Sequence, residues 1–272
     1  LINEKMALAT NTDVPYAKQM EDVLASVFAD FPLHLNSPNN HLGFAYAKEV
    51  VRQNFSNQIT LLPILRKDAQ YTDQHLNKET SIASATAIRK ALFGGESVAS
   101  FIPDASYVFL DEEISVCVSW ENYFPYLKYQ ITAQTTDQLR EIYQMTEGLE
   151  FRLKEYITEA RSFEEFIGKV KTKRYTRTRL QRLFTYILLN MKKSEIEQAM
   201  KEPPVIRLLG FNEQGQKYLN HQKHHLSLEL ISNVNQANRA DVRFDVKAGE
   251  IYRLGNPLIK IQDFKRKPIK YD

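Results

Sequence analysis

Between Thr176 and Met191 the residues Leu180, Leu183, Phe184, Ile187, Leu188 and Met191 recur at intervals of three and four. That spacing puts one apolar stripe on a helix, and a helix with such a stripe is stable only against other packed elements. Arg179 and Arg182 fall on the other side of the same helix. The segment leading into it is basic, with Lys169, Lys171, Lys173, Arg174 and Arg177 and no acid as far as Lys193. A like-charge run of this kind is either a solvated face or a surface for a polyanion.

Further helix starts surround this one. Thr135…Gln138, Ser162…Glu165 and Ser194…Glu197 have capping-box spacing. Pro15 opens an apolar-periodic run to Phe28, and Leu42–Arg52 follows the loop-forming stretch NSPNN at 36–40. Ile59–Leu65 (ITLLPIL) has the length of a buried strand, with Pro63 favouring a strand end. Val205–Phe211 (VIRLLGF) is expected as a strand, and Asp241–Leu254 as a last helix stopped by Gly255. The pattern is α/β in a first portion, 1–110, and mainly helical in a second, 111–272.

The 272 residues include 43% hydrophobic and 25% charged residues, ordinary values for a globular chain. There is no run of about eighteen apolar residues to span a membrane. The single cysteine, Cys117, cannot form an intrachain disulfide and suits a reducing cytoplasm. His221, His224 and His225 lack an accompanying Cys or acid, so no metal site is expected there. Asp111, Glu112 and Glu113 are expected to form a solvated turn.

The segment Ser81–Leu92, SIASATAIRKAL, places small hydroxyl residues at the start of a helix that ends at Gly94-Gly95. A helix N-terminus offers free N–H groups and a positive dipole end, which favour phosphate. Arg89 stands at i+3 from Thr86 and can reach the same anion, while Ile88 and Leu92 are expected to hold the helix against a sheet. The spacing by itself fits an ordinary capped helix with a surface arginine equally well.

SIASATAIR resembles the phosphate-binding element of the nucleotidyltransferases that carry an HxGH motif. SATAIRKAL, SPNNHLGFAY, KTKRYTRTRLQRLFTYIL, VIRLLGFNEQGQKYL and the closing PIKYD resemble, in order, the bacterial tRNA(Met) cytidine acetate ligases. The resemblance implies the C-terminal part of a Rossmann-like nucleotidyltransferase domain in 1–110, followed by a helical RNA-binding domain in 111–272. It implies ATP as a substrate, with Mg, and acetate activated as acetyl-adenylate for the wobble cytidine of elongator tRNA(Met). Asn39, Arg66, Ser84, Thr86 and Arg89 would contact ATP. Lys171, Lys173, Arg174, Tyr175, Arg177, Arg179 and Arg182 would contact the tRNA, with Tyr175 able to stack on a base. No H-x-G-H occurs in the sequence, so the chain is expected to be the family without its N-terminal part. Another adenylyltransferase of the superfamily, and a non-catalytic RNA-binding fragment, are the alternative readings.

Overall fold

The computed structural model describes residues 4–5, 16–28, 38–65, 73–77, 79–146 and 148–271. The chain divides into two units, Leu1–Ile114 and Ser115–Asp272.

In the first unit, α1 (Tyr16–Val27) buries Val23 and Leu24. Helix α2 (Pro38–Arg52) begins four residues earlier than the Leu42 start expected from NSPNN. Proline in a first turn explains the difference, since its φ is preset and its missing N–H would have had no partner there. The expected strand at 59–65 is absent. These residues have no regular structure, and Leu62, Ile64 and Leu65 are 82%, 87% and 86% exposed. A strand exists only where a neighbouring strand takes its N–H and C=O groups, and no described strand pairs with this run.

Helix α3 (Ala85–Phe93) is capped by Ser84 and closed at Gly94-Gly95, where Gly95 has φ +76°. Its buried side is formed by Ala87 and Ala91, whereas Ile88 and Leu92, expected to hold it, are only half-buried. The acids Asp111–Glu113 lie in α4 (Asp104–Glu113), not in a turn; Pro103 at the N-cap and Asp104 in the first turn set its start.

The second unit is built on a helical core. Helix α5 (Trp120–Ala133) opens with an unforeseen cap in which Asn122 Oδ1 accepts the Ser119 N–H at 2.8 Å. It buries Phe124, Leu127 and Ile131 despite Pro125 inside it. The Thr135–Gln138 box opens α6 (Thr136–Arg140) with both reciprocal bonds. Helix α7 (Leu149–Ile157) follows Gly148 at φ +85°.

Helix α8 (Phe163–Val170) is capped by Ser162, although the Glu165 carboxylate returns to the Arg161 N–H instead of closing a box. Helix α9 (Arg177–Leu188) buries Leu180, Leu183, Phe184, Ile187 and Leu188, five of the six stripe residues, and ends before Met191, which is buried beyond the helix. Helix α10 (Lys193–Ala199) starts before the expected Ser194 cap, because Glu195 accepts the Lys192 N–H at 2.9 Å. Aromatic rings knit the helices together: Trp120 stacks on Phe163 at 4.8 Å and Phe166 on Phe184 at 5.3 Å between centroids.

The expected strand 205–211 is split in two. β1 (Ile206–Arg207) pairs in parallel with β3 (Leu230–Ile231), and β2 (Gly210–Phe211) with β4 (Ile269–Lys270). Helix α11 (Glu213–Gln222) lies between β2 and β3 in sequence. The last helix, α12 (Arg243–Tyr252), is shorter than the expected 241–254 and runs into a 3₁₀ turn at Arg253–Gly255.

Val246 of α12 belongs to a second core with Ile231, Val234 and Val242, while Ile251 packs on the helical core. Five residues of helix turn through about 140°, so one helix serves two cores from different faces. Tyr123 Oη donates to the Tyr252 carbonyl at 2.6 Å and Tyr126 Oη to that of Leu254 at 3.1 Å, fixing this end of the chain on α5.

Candidate functional site

Ser84, Thr86 and Arg89 share the start of α3, and the structure gives them different tasks. Ser84 is buried; its hydroxyl donates to the Asp73 carbonyl at 2.5 Å and accepts the Ala87 N–H at 3.0 Å. Both ends of that hydroxyl are engaged, so Ser84 shapes the helix start instead of offering a donor, contrary to expectation. The backbone N–H groups of Ala85 and Thr86 have no partner among the described residues, and the side chains of Thr86 and Arg89 are exposed. Two amides, one hydroxyl and one guanidinium therefore remain for an anion, at the end of the helix whose dipole favours negative charge.

Asn39 lies exposed in the first turn of α2, with no bond to this helix. Arg66 lies outside the described residues.

The basic segment before α9 is held by a tight link. Thr172 N–H donates to the Tyr175 carbonyl at 3.2 Å, and Thr172 Oγ1 accepts the Tyr175 N–H at 3.0 Å. The turn leaves Lys171, Lys173 and Arg174 exposed. Tyr175 points the other way: it is buried, its Oη accepts from Thr146 Oγ1 at 3.3 Å, and the guanidiniums of Arg179 and Arg174 cover its ring at 5.1 and 5.5 Å. A ring so covered is a platform for the two arginines and is not presented to a base, which corrects the expected stacking role.

The run also finds acids in the helix before it, one four residues away and one thirteen. Arg177 pairs with Glu164 through both guanidinium nitrogens, and Lys169 with Glu165 at 2.9 Å. The hydrogen bond from Arg177 holds the Glu164 carboxyl below its ordinary value and raises Arg177 in turn. Lys171, Lys173 and Arg182 have no ion-pair partner among the described residues, leaving their charge open to an external anion.

Two features escaped the sequence reading. Glu150 is fully buried, with Oε1 receiving Arg140 Nε at 2.7 Å. Nothing in its helical spacing marks it as anything but a surface acid. A second basic stretch, Lys260, Lys265, Arg266, Lys267 and Lys270 against Asp263 alone, was visible as a charge run but had no motif to single it out. His221 sits on α11 and His225 in the turn after it, with rings 6.1 Å apart; the described residues contain no group of three or more metal-ligating side chains. No described helix is long and apolar enough to cross a membrane.

The chain and its fold have counterparts. Residues 1–267 match the family described as HIGH Nucleotidyl Transferase, which sets the class of the protein. Over 253 residues the chain is 38% identical to the tRNA(Met) cytidine acetate ligase of Bacillus licheniformis, covering 88% of this chain and 60% of that one. Against the Bacillus cereus ligase it is 36% identical over 278 residues, covering 96% and 70%.

The crystal structure of apo TmcAL from Thermotoga maritima superposes with a TM-score of 0.86 at 23% identity, covering 99% of this chain and 70% of that one. A second form of it, bound with alpha-thio ATP, gives 0.82, covering 99% and 69%. The chain belongs to the HIGH nucleotidyl transferase family and, within it, to the family of the tRNA(Met) cytidine acetate ligases. It spans between 60% and 70% of the length of these two ligases.

Proposed function

We propose that the protein activates acetate with ATP and passes the acetyl group to the exocyclic amine of the wobble cytidine of elongator tRNA(Met). An acetate oxygen attacks the α-phosphorus and pyrophosphate leaves with the electron pair of the broken P–O bond. The cytidine amine then attacks the acetyl carbonyl, AMP leaves, and the amine loses a proton. Neither step needs a protein nucleophile. What the first step needs is positive charge and fixed donors where an anion meets an anion.

The observation that carries this reading is the start of α3. The free N–H groups of Ala85 and Thr86, the Thr86 hydroxyl and Arg89 are exposed on one helix end, and Ser84 is spent on holding it. Arg89 would take a phosphate in fork geometry. Asn39 and Arg66 would complete the ATP contacts from the first unit. Mg would ride on the ATP phosphates, as this ion commonly does with few protein ligands.

The second unit would hold the tRNA, with Lys171, Lys173 and Arg182 as open phosphate contacts and Arg174 and Arg179 beside them on Tyr175. Arg177, neutralised by Glu164, would contribute least. Such a reaction belongs in the cytoplasm, where tRNA is.

The test is exchange of labelled pyrophosphate into ATP. Exchange that depends on acetate supports the reading; exchange that ignores acetate and requires a nucleotide acceptor overturns it in favour of another adenylyltransferase chemistry.

A further inference from the structure

A cleft of about 400 Å³ opens in the second unit where the two parallel strand pairs meet. Its walls are the apolar side chains of Leu208, Leu209, Pro268 and Ile269, together with Ser232 and Gln262. At its polar side Arg207 Nη1 pairs with Asp263 Oδ1 at 2.6 Å, and both side chains are mostly buried. That pair carries no net charge. The rim is different: Arg266 and Lys267 are exposed cations, and no carboxylate lines the cleft besides the Asp263 already paired.

The floor is held rigidly. Gly249 of α12 approaches Asp263 so closely that a Cβ there would collide with the Asp263 carboxylate, and Arg253 Nε donates to the Ile259 carbonyl at 3.2 Å. The Lys265 N–H donates to the Val234 carbonyl at 2.8 Å, tying the rim segment to the second core.

We infer that this cleft takes a single unpaired nucleotide of an RNA. A base is flat, largely apolar on its faces, uncharged, and hydrogen-bonding at its edge. That matches apolar walls closed by Ser232 and a neutral ion pair, with Gln262 held at the edge as it donates to the Lys260 carbonyl at 2.8 Å and accepts from Arg266 Nη1 at 3.4 Å. Its phosphate is an anion held at one side, which matches Arg266 and Lys267 at the mouth. The volume falls near the low end for ligand pockets, on the scale of one nucleotide. Unpaired, splayed bases are also what proteins read in RNA. The inference rests on the RNA half of the proposed function and adds a second contact, remote in sequence from the Lys171–Arg182 segment and sensitive to single-strandedness where that segment is not.

The test is fluorescence anisotropy with two labelled RNAs of equal phosphate number, a hairpin with an unpaired loop and a blunt duplex. The wild-type protein binds the hairpin about tenfold more tightly than the duplex, the scale of one well-held base. Ser232→Phe, which fills the cleft from an exposed position, removes that preference, and Ser232→Ala keeps it. Arg266→Ala with Lys267→Ala, both exposed and safe for folding, lowers hairpin affinity and flattens its salt dependence. Equal binding of both RNAs, no binding of either, or a hairpin preference untouched by both cleft variants would overturn the inference. Acetate-dependent pyrophosphate exchange is read on the same variants. If exchange is absent but Ser232→Phe abolishes the preference, the ligase reading falls and the cleft stands. If exchange is normal in every variant and the preference never changes, the reverse holds.

Discussion

Arg177 and Glu164 face each other across α9 and α8 in a two-pronged ion pair, Nη1 to Oε2 at 2.7 Å and Nη2 to Oε1 at 2.5 Å. The pair removes one charge from a ridge that sequence alone would count as wholly positive. Arg177→Ala is therefore expected to weaken tRNA binding less than Lys171→Ala or Arg182→Ala, as measured by filter binding at fixed salt.

The same pair carries a pH signature. Arg177 depresses the folded-state value of Glu164, so the stability it gives is present above the unfolded carboxylate range near 4.5 and is lost as pH falls through the lower folded value. Both side chains are largely exposed, which limits the pair to about 0.5 kcal/mol. The difference in Tm between the protein and Glu164→Gln is expected to shrink on acidification from pH 6 toward pH 3.

The two proposed surfaces are expected to be separable. Arg89→Ala is expected to remove adenylate formation, seen as loss of acetate-dependent pyrophosphate exchange, and to spare tRNA binding. Arg179→Ala combined with Arg182→Ala does the reverse. Equal loss of both properties in both variants would refute the division of labour.

Glu150 is the buried charge whose partner matters most. Arg140→Ala leaves its carboxylate inside the core without that ion pair and is expected to cost about 2–3 kcal/mol. Glu150→Leu replaces the charge by an apolar side chain of similar size, leaves Arg140 its 2.6 Å contact with Asp137, and costs less than about 1 kcal/mol. Urea denaturation midpoints rank the two.

Tyr123 ties the last helix to α5, and burial, with Tyr252 beside it, pushes its phenol up to about 12. A raised folded-state value means the stability is full below the unfolded value of 10 and is lost as pH rises from 10 to 12. Tyr123→Phe removes the bond to the Tyr252 carbonyl, about 1 kcal/mol, and abolishes that alkaline phase. Gly255→Ala would put a Cβ 2.5 Å from the Tyr123 oxygen and is expected to cost about 1–3 kcal/mol. Thermal melts across this pH range check both.

Where a signal was local, the sequence carried it. The apolar stripe of α9, the Thr135 cap, the Ser84 start of α3 and its Gly94-Gly95 stop depend on neighbours within one or two turns, and each formed as its spacing required. The failures were of another kind. Ile59–Leu65 has strand composition, yet a strand needs a partner's backbone, which no local pattern supplies. Val205–Phe211 was divided because its halves found partners at 230–231 and 269–270.

The candidate site shows the same boundary. The sequence determined that a phosphate-favouring helix start and a long basic segment exist, because helix ends and charge runs are properties of contiguous residues. Only the tertiary structure decided that Ser84 spends its hydroxyl on Asp73, that Tyr175 is covered by Arg174 and Arg179, and that Arg177 is neutralised from α8. It also decided that residues 207, 232, 263 and 266 line one cleft. Hydrogen bonds and ion pairs act over a few ångströms in space, whatever the separation along the chain. Which cations stay open to an external anion is therefore fixed by packing and not by order.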